Sequence, residues 1–341
     1  MLDYTINFFL ICFVIFFINI LAKKIQSLNN FSGLPHQILT KKEAIPLSGG
    51  LTLIFLIIIK FNFIEINLLF FLISIFLIGF LADIRILKSP ITRFGLQIII
   101  LSLFIFFFDL TILDIRVSWF DNLLTNKHFN YFFVLFCFLV LINGSNFIDG
   151  NNALAIGYYS LVFFVILNLN IYELNIQYQN FLYFLLISLL TLLIFNIFNK
   201  LYLGDGGVYL LSTITGYFLV KLYADNQDIS PFFIVNLLWY PSFEILFSMI
   251  RKIKAKYSPM DPDTQHLHQL IFRKFLAYFN NRVVISNSLT GITINTYHLI
   301  IFYISFLNYS ESLFQVYIII LNIVIYLFLY FLLKNNLFIK K

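Results

Sequence analysis

Apolar runs too long and too numerous for a soluble core constrain this chain more than any other feature. A helix needs roughly 20 such residues to cross a bilayer. Stretches near that length recur eleven times: about Tyr4–Ala22, Leu47–Ile59, Asn67–Ala82, Phe94–Ile112, Phe129–Ile142, Ala153–Ile171, Phe181–Phe198, Val208–Tyr223, Pro231–Ile250, Val283–Phe306 and Leu313–Leu333. The second and fifth are short and depend on their neighbours. The runs are continuous, not alternating, so a β-barrel does not fit. Helices are the remaining way to satisfy the backbone in lipid. Only 11% of the residues are charged and 61% are hydrophobic, against about 25% charged in a soluble domain. A soluble enzyme and a disordered chain are both excluded. The expected fold is all-α: one polytopic membrane helical bundle over residues 1–341, with about eleven transmembrane helices.

Charge sets the orientation. Nothing basic precedes the first run and Lys23 and Lys24 follow it, which reads as a retained helix with its N-terminus outside and not as a cleaved signal peptide. Eleven crossings then put the C-terminus in the cytoplasm. On that map only Lys60, Arg116, Lys127 and Lys221 of the 22 lysines and arginines fall outside. The net charge of +6 is thereby explained by cytoplasmic retention, with no nucleic-acid partner. Glu244 is assigned to the outside. The two cysteines, Cys12 and Cys137, lie in apolar runs and read as packing residues, with no disulfide framework or thiolate metal site.

The predicted inside loops carry the polar motifs. In Asn143-Gly-Ser-Asn146-Phe-Ile-Asp149 the spacing i, i+3, i+6 brings Asn143, Asn146 and Asp149 onto one face if the turn is helical. Asn196-Ile-Phe-Asn199 leads to Gly204-Asp205-Gly206-Gly207 just before an apolar run. There backbone N–H groups would face an anion, and Asp205 is either a cap or a Mg²⁺ ligand. The glycines favour a phosphate site. Asp83 and Arg85 follow the third run, and Lys41-Lys42-Glu43 precedes Pro46-Leu-Ser-Gly49-Gly50. Those lysines either cradle a phosphate with the glycines or anchor the chain at the inner face. Finally, Asp261, Asp263, His266 and His268 share a cytosolic loop expected to lie outside the bundle. It lacks the third ligand that zinc needs and suits contact with a phosphate.

Taken together, in this order, these loops resemble the polyprenyl-phosphate N-acetylhexosamine-1-phosphate transferase family, glycosyltransferase family 4. The resemblance covers about residues 40–275 and rests on Pro46-Leu-Ser-Gly49-Gly50, Asn143…Asn146…Asp149-Gly with Ala153-Leu-Ala, the Gly204-Asp205 block and Ser258-Pro259…His266-Leu-His268. It implies transfer of a sugar-1-phosphate from a UDP-N-acetylhexosamine to polyprenyl (undecaprenyl) phosphate, releasing UMP. The implied cofactor is Mg²⁺, with Mn²⁺ as a substitute, held by Asp205 and Asp149. Asp83 or Asp149 would position or deprotonate the lipid phosphate. Asn143, Asn146 and Asn196 would hold substrate oxygens, and His266, His268, Lys41 and Lys42 would contact the diphosphate or sugar. The expected setting is the inner (plasma) membrane with the active site facing the cytoplasm, and a homodimer is compatible with it. Four positions depart from the family pattern: Ala82 and Asn152 stand where it has aspartates, Thr264 where it has a basic residue and Gln269 where it has a histidine. The shortened histidine run favours the branch that starts a surface glycan. The alternatives are the related phospho-N-acetylmuramoyl-pentapeptide transferase, a non-catalytic relative, and a transporter. A transporter would place its acids near the bilayer midplane.

Overall fold

The computed structural model describes residues 2–29, 45–169, 176–258 and 264–338. Among these residues the chain forms thirteen α-helices: α1 (Leu2–Lys24), α2 (Gly49–Ile59), α3 (Ile66–Asp83), α4 (Pro90–Phe107), α5 (Ser118–Leu124), α6 (Lys127–Ile148), α7 (Leu154–Asn168), α8 (Ile176–Ile197), α9 (Gly204–Asp225), α10 (Pro231–Lys254), α11 (Leu267–Tyr278), α12 (Val283–Leu307) and α13 (Ser312–Phe338). Nine are long and apolar enough to cross a membrane, and α2 and α7 are shorter apolar helices. These eleven fall on the eleven apolar runs. The protein is a polytopic membrane helical bundle. Helices α5 and α11 are additions within polar stretches. Helix α4 ends at Phe107 and not near Ile112, because Asp109 turns left-handed (φ 47°) and the Leu110 amide returns to the Ile105 carbonyl at 3.0 Å.

Helix α9 is the axis of the bundle and is buried along most of its length. Its sequence explains why. Gly206, Gly207, Ser212, Thr213, Thr215 and Gly216 are small, and small residues let helices approach closely in lipid. A Cβ on Gly79 of α3 would sit 2.5 Å from the Asp205 carbonyl carbon, and one on Gly50 of α2 would sit 2.4 Å from the Gly207 nitrogen. Three helices therefore meet backbone to backbone at the start of α9. Helix α10 contains Pro241, which has no N–H to give the Leu237 carbonyl four residues earlier. The Tyr158 hydroxyl of α7 donates to that carbonyl instead, at 2.8 Å.

Among the described residues, the loops sort to two ends of the bundle. At one end Arg116 donates to the carbonyls of Gln227, Ile229 and Ser310, and Tyr178 donates to Glu65. At the other end the amides of Gly49 and Gly50 donate to the carbonyls of Tyr202 and Leu203, both at 2.9 Å. Asn152 there reaches Asn199 at 3.1 Å, and Ser288 donates to the Ile197 carbonyl. One acid breaks the expected assignment. Glu244 hydrogen-bonds His266, so it belongs to the end that carries the motifs and not to the opposite one. It lies ten residues before the end of α10, and burial against neighbouring helices holds it there where sequence position alone suggested the far side.

Candidate active site

Three aspartates from three helices meet at the motif end. Helix α6 remains helical through Ile148 with Asp149 as its C-cap residue, so Asn143, Asn146 and Asp149 do share a face. Asp83 is the last residue of α3, and its carboxylate accepts from the amides of Asp205 (2.8 Å) and Gly206 (3.1 Å). It thus fills the anion position at the start of α9 that the glycines suggested for phosphate. The glycines have packing reasons to be there. Gly204 adopts φ +78°, and a Cβ on it would lie 2.7 Å from Asp83 Oδ2. Gly49 and Gly50 likewise spend their amides on the loop before α9, so they form no phosphate cradle.

Asp205 faces outward. Its Oδ2 accepts from Arg93 Nη1 at 2.8 Å, and both side chains remain accessible, at 23% and 27% of full exposure for Arg93 and Asp205. Arg93 stands in the first turn of α4, which Ser89 and Pro90 start. Asp149 is half-buried. Removal from water pushes its carboxyl well above the usual carboxylate range. The charges of Asp205 and Asp83 push the same way, and the Gly204 amide opposes them. The cluster thus joins a sheltered carboxyl, a half-open carboxylate and an arginine.

The asparagines form a frame around this centre. Asn196 accepts from the Ala153 amide at 2.5 Å and donates to the Leu201 carbonyl at 2.9 Å, so both its polar ends are committed to backbone. They hold Ala153 in its left-handed conformation (φ 66°) ahead of α7. Asn287 and Asn295 of α12 secure the same turn, Asn287 accepting from Asn151 and Asn295 donating to the Ala153 carbonyl. Asn143 donates to Gln97 of α4 at 3.0 Å, and Asn146 is half-buried. Lys41, Lys42, Asp261 and Asp263 lie outside the described residues.

The histidines correct the sequence reading. They were expected in a loop clear of the bundle, yet both are buried. His266 precedes α11 and His268 lies in its first turn. Their rings stack in parallel, with centroids 5.4 Å apart and planes 3° from each other. Phe147 of α6 packs on His266, and His268 lies against Gly150. The amphipathic α11 draws the pair inward by burying Leu267, Leu270 and Phe272.

Sequence reasoning missed Arg93, Gln97, Glu244, Asn287 and Asn295. Glu244 alone carried a signal, since an acid inside an apolar run is costly and calls for a partner. The others look like ordinary helix residues until the helices are assembled.

Comparison with known proteins agrees with the geometry. Residues 65–223 match glycosyl transferase family 4, a segment that contains all three aspartates and Arg93. An undecaprenyl-phosphate alpha-N-acetylglucosaminyl 1-phosphate transferase from Thermotoga maritima is 27% identical over 275 residues, covering 80% of this chain and 82% of that protein. Proteins of the same name from Escherichia coli and Yersinia pestis are 26% and 30% identical, each over 42% of this chain and 41% of their own length.

Proposed function

We propose, from the match of residues 65–223 to glycosyl transferase family 4, that the chain transfers N-acetylhexosamine-1-phosphate from a UDP-sugar to undecaprenyl phosphate in the inner membrane, and so starts a cell-surface glycan. An oxygen of the lipid phosphate attacks the β-phosphorus of the donor. The bond from that phosphorus to the bridging oxygen breaks, and UMP leaves with the electron pair. The observation that carries this reading is the joining of Asp149, Asp205 and Arg93 at the helix ends, the depth at which a lipid phosphate and a water-soluble donor can meet. The relatives' names support the acceptor and the sugar. The retention of basic residues at this end supports a cytoplasmic site.

Among the described residues no three His, Cys, Asp or Glu side chains are grouped to hold a metal by themselves. Two carboxylates remain suitable, because Asp83 has given its oxygens to amides. Two hard oxygen donors completed by substrate phosphates fit Mg²⁺, which is held in this way at phosphoryl-transfer sites. Asp149 and Asp205 would hold it, and it would neutralise the diphosphate and align it for in-line displacement. Arg93 adds positive charge where two anions must approach each other. Asp83 fixes the start of α9, and so the aim of Asp205. A phosphate monoester has its second pKa near ~6, so the acceptor is largely dianionic at neutral pH and needs no base to activate it. On this reading the transfer does not need a second carboxylate at position 82.

Membranes containing the protein, labelled UDP-N-acetylglucosamine and undecaprenyl phosphate should yield UMP and a lipid-linked sugar. Asp205→Asn should insert normally and lose well over tenfold in rate, more than ~1.4 kcal/mol of transition-state stabilisation. The parent should stop when divalent cations are chelated. Silence of the parent with every UDP-N-acetylhexosamine would refute the proposal.

A further inference from the structure

Glu244 is an acid within a membrane-spanning helix, ten residues before its end, and is only 1% exposed. Such a group persists only where neighbours compensate it, and here three donors converge on it. The Tyr326 hydroxyl of α13 donates to Oε2 at 2.9 Å. The Leu267 amide approaches Oε1 at 3.4 Å, and His266 Nδ1 lies 2.8 Å from the same oxygen. A carboxylate surrounded in this way only accepts. It therefore fixes the proton of the imidazole on Nδ1 and leaves Nε2 as the acceptor nitrogen of the ring. The constraint passes onward, since His268 stacks flat on His266 and lies against Gly150, the neighbour of Asp149. Lys252 stands over Phe147, which packs on His266.

We propose that Glu244 is a positioning residue: with Tyr326 it sets the tautomer and orientation of His266, and thereby the recognition of the UDP-sugar by the histidine pair. This rests on the transfer reading for the identity of the ligand, but its first consequence does not. The chain has five histidines, few enough to assign in ¹⁵N-histidine NMR spectra of the purified full-length protein by single substitutions. In the parent, His266 should be found as the Nδ1–H form. Glu244→Leu removes the acceptor and leaves no unpaired charge of its own, and His266 should then no longer be held in one form. Affinity for UDP-N-acetylglucosamine, titrated without acceptor, should fall about tenfold, as one misdirected hydrogen bond to a charged group implies. Glu244→Gln keeps an acceptor oxygen and should recover most of that loss. In a His266→Ala background Glu244→Leu should cost nothing more. If Glu244→Leu does not fold, Tyr326→Phe should weaken donor binding in the same direction, to a smaller extent.

An Nε2–H form in the parent would overturn the inference, as would unchanged donor affinity in Glu244→Leu or fully additive losses with His266→Ala. The two readings fail separately. A protein that binds the donor, shows the Nδ1–H form and releases no UMP refutes the transfer reading and leaves Glu244 as the positioner of His266.

Discussion

At the scale of single residues, the site holds acids where burial disfavours their charge. Asp149 has its carboxyl held well above the usual range by loss of water and by two neighbouring acids. A raised carboxyl pKa means that the folded state binds more protons than the unfolded chain between the ordinary and the raised value, so this group's contribution to stability falls as pH rises through that window. Asp149→Asn should therefore raise the melting temperature at neutral pH and flatten its decline with rising pH, while transfer activity drops more than tenfold. A thermal-shift series across pH, run beside a UMP assay, checks both halves. Gly204 makes the opposite case. Its φ of +78° and the 2.7 Å from an added Cβ to Asp83 Oδ2 predict that Gly204→Ala costs about 1–3 kcal/mol, seen as a lower melting temperature together with impaired turnover as Asp205 shifts.

At the scale of elements, the helices that bear the site were legible as helices, but their ends were not. The 3.6-residue period placed Asn143, Asn146 and Asp149 on one face, because a helix is a local object that needs only its own backbone bonds. The halt of α4 at Phe107 depends on a single left-handed residue, Asp109, which the apolar run around it concealed. Helix α10 shows how an element is completed from outside itself. Pro241 leaves the Leu237 carbonyl without its intrahelical partner, and Tyr158 of α7 supplies the missing donor. Tyr158→Phe should cost about 1–3 kcal/mol, the penalty for an unsatisfied buried acceptor. Its effect should appear in thermal melts and not in the affinity for the donor.

At the scale of the whole molecule, eleven apolar helices run between two clusters of loops, and all the recognisable motifs within the described residues gather at one of them. The proposed function and the charge map together require this end to face the cytoplasm. A single cysteine at position 256, in protein freed of Cys12 and Cys137, should resist an impermeant thiol reagent in intact cells and react after permeabilisation, whereas one at position 121 should react in both. Labelling of position 256 in intact cells would reverse the map. The sequence by itself determined that the chain is a helical membrane bundle, roughly where each helix lies, and which loops carry the polar motifs, because apolar length and local spacing are properties of contiguous residues. Only the tertiary structure decided what each polar group does. It turned Asp83 into the cap of α9, committed Asn196 to backbone, paired Arg93 with Asp205, and drew Glu244 and both histidines into one buried network. Those roles depend on residues that lie tens or more than a hundred positions apart, brought together by helix packing, and no local pattern in the chain encodes which of them will touch.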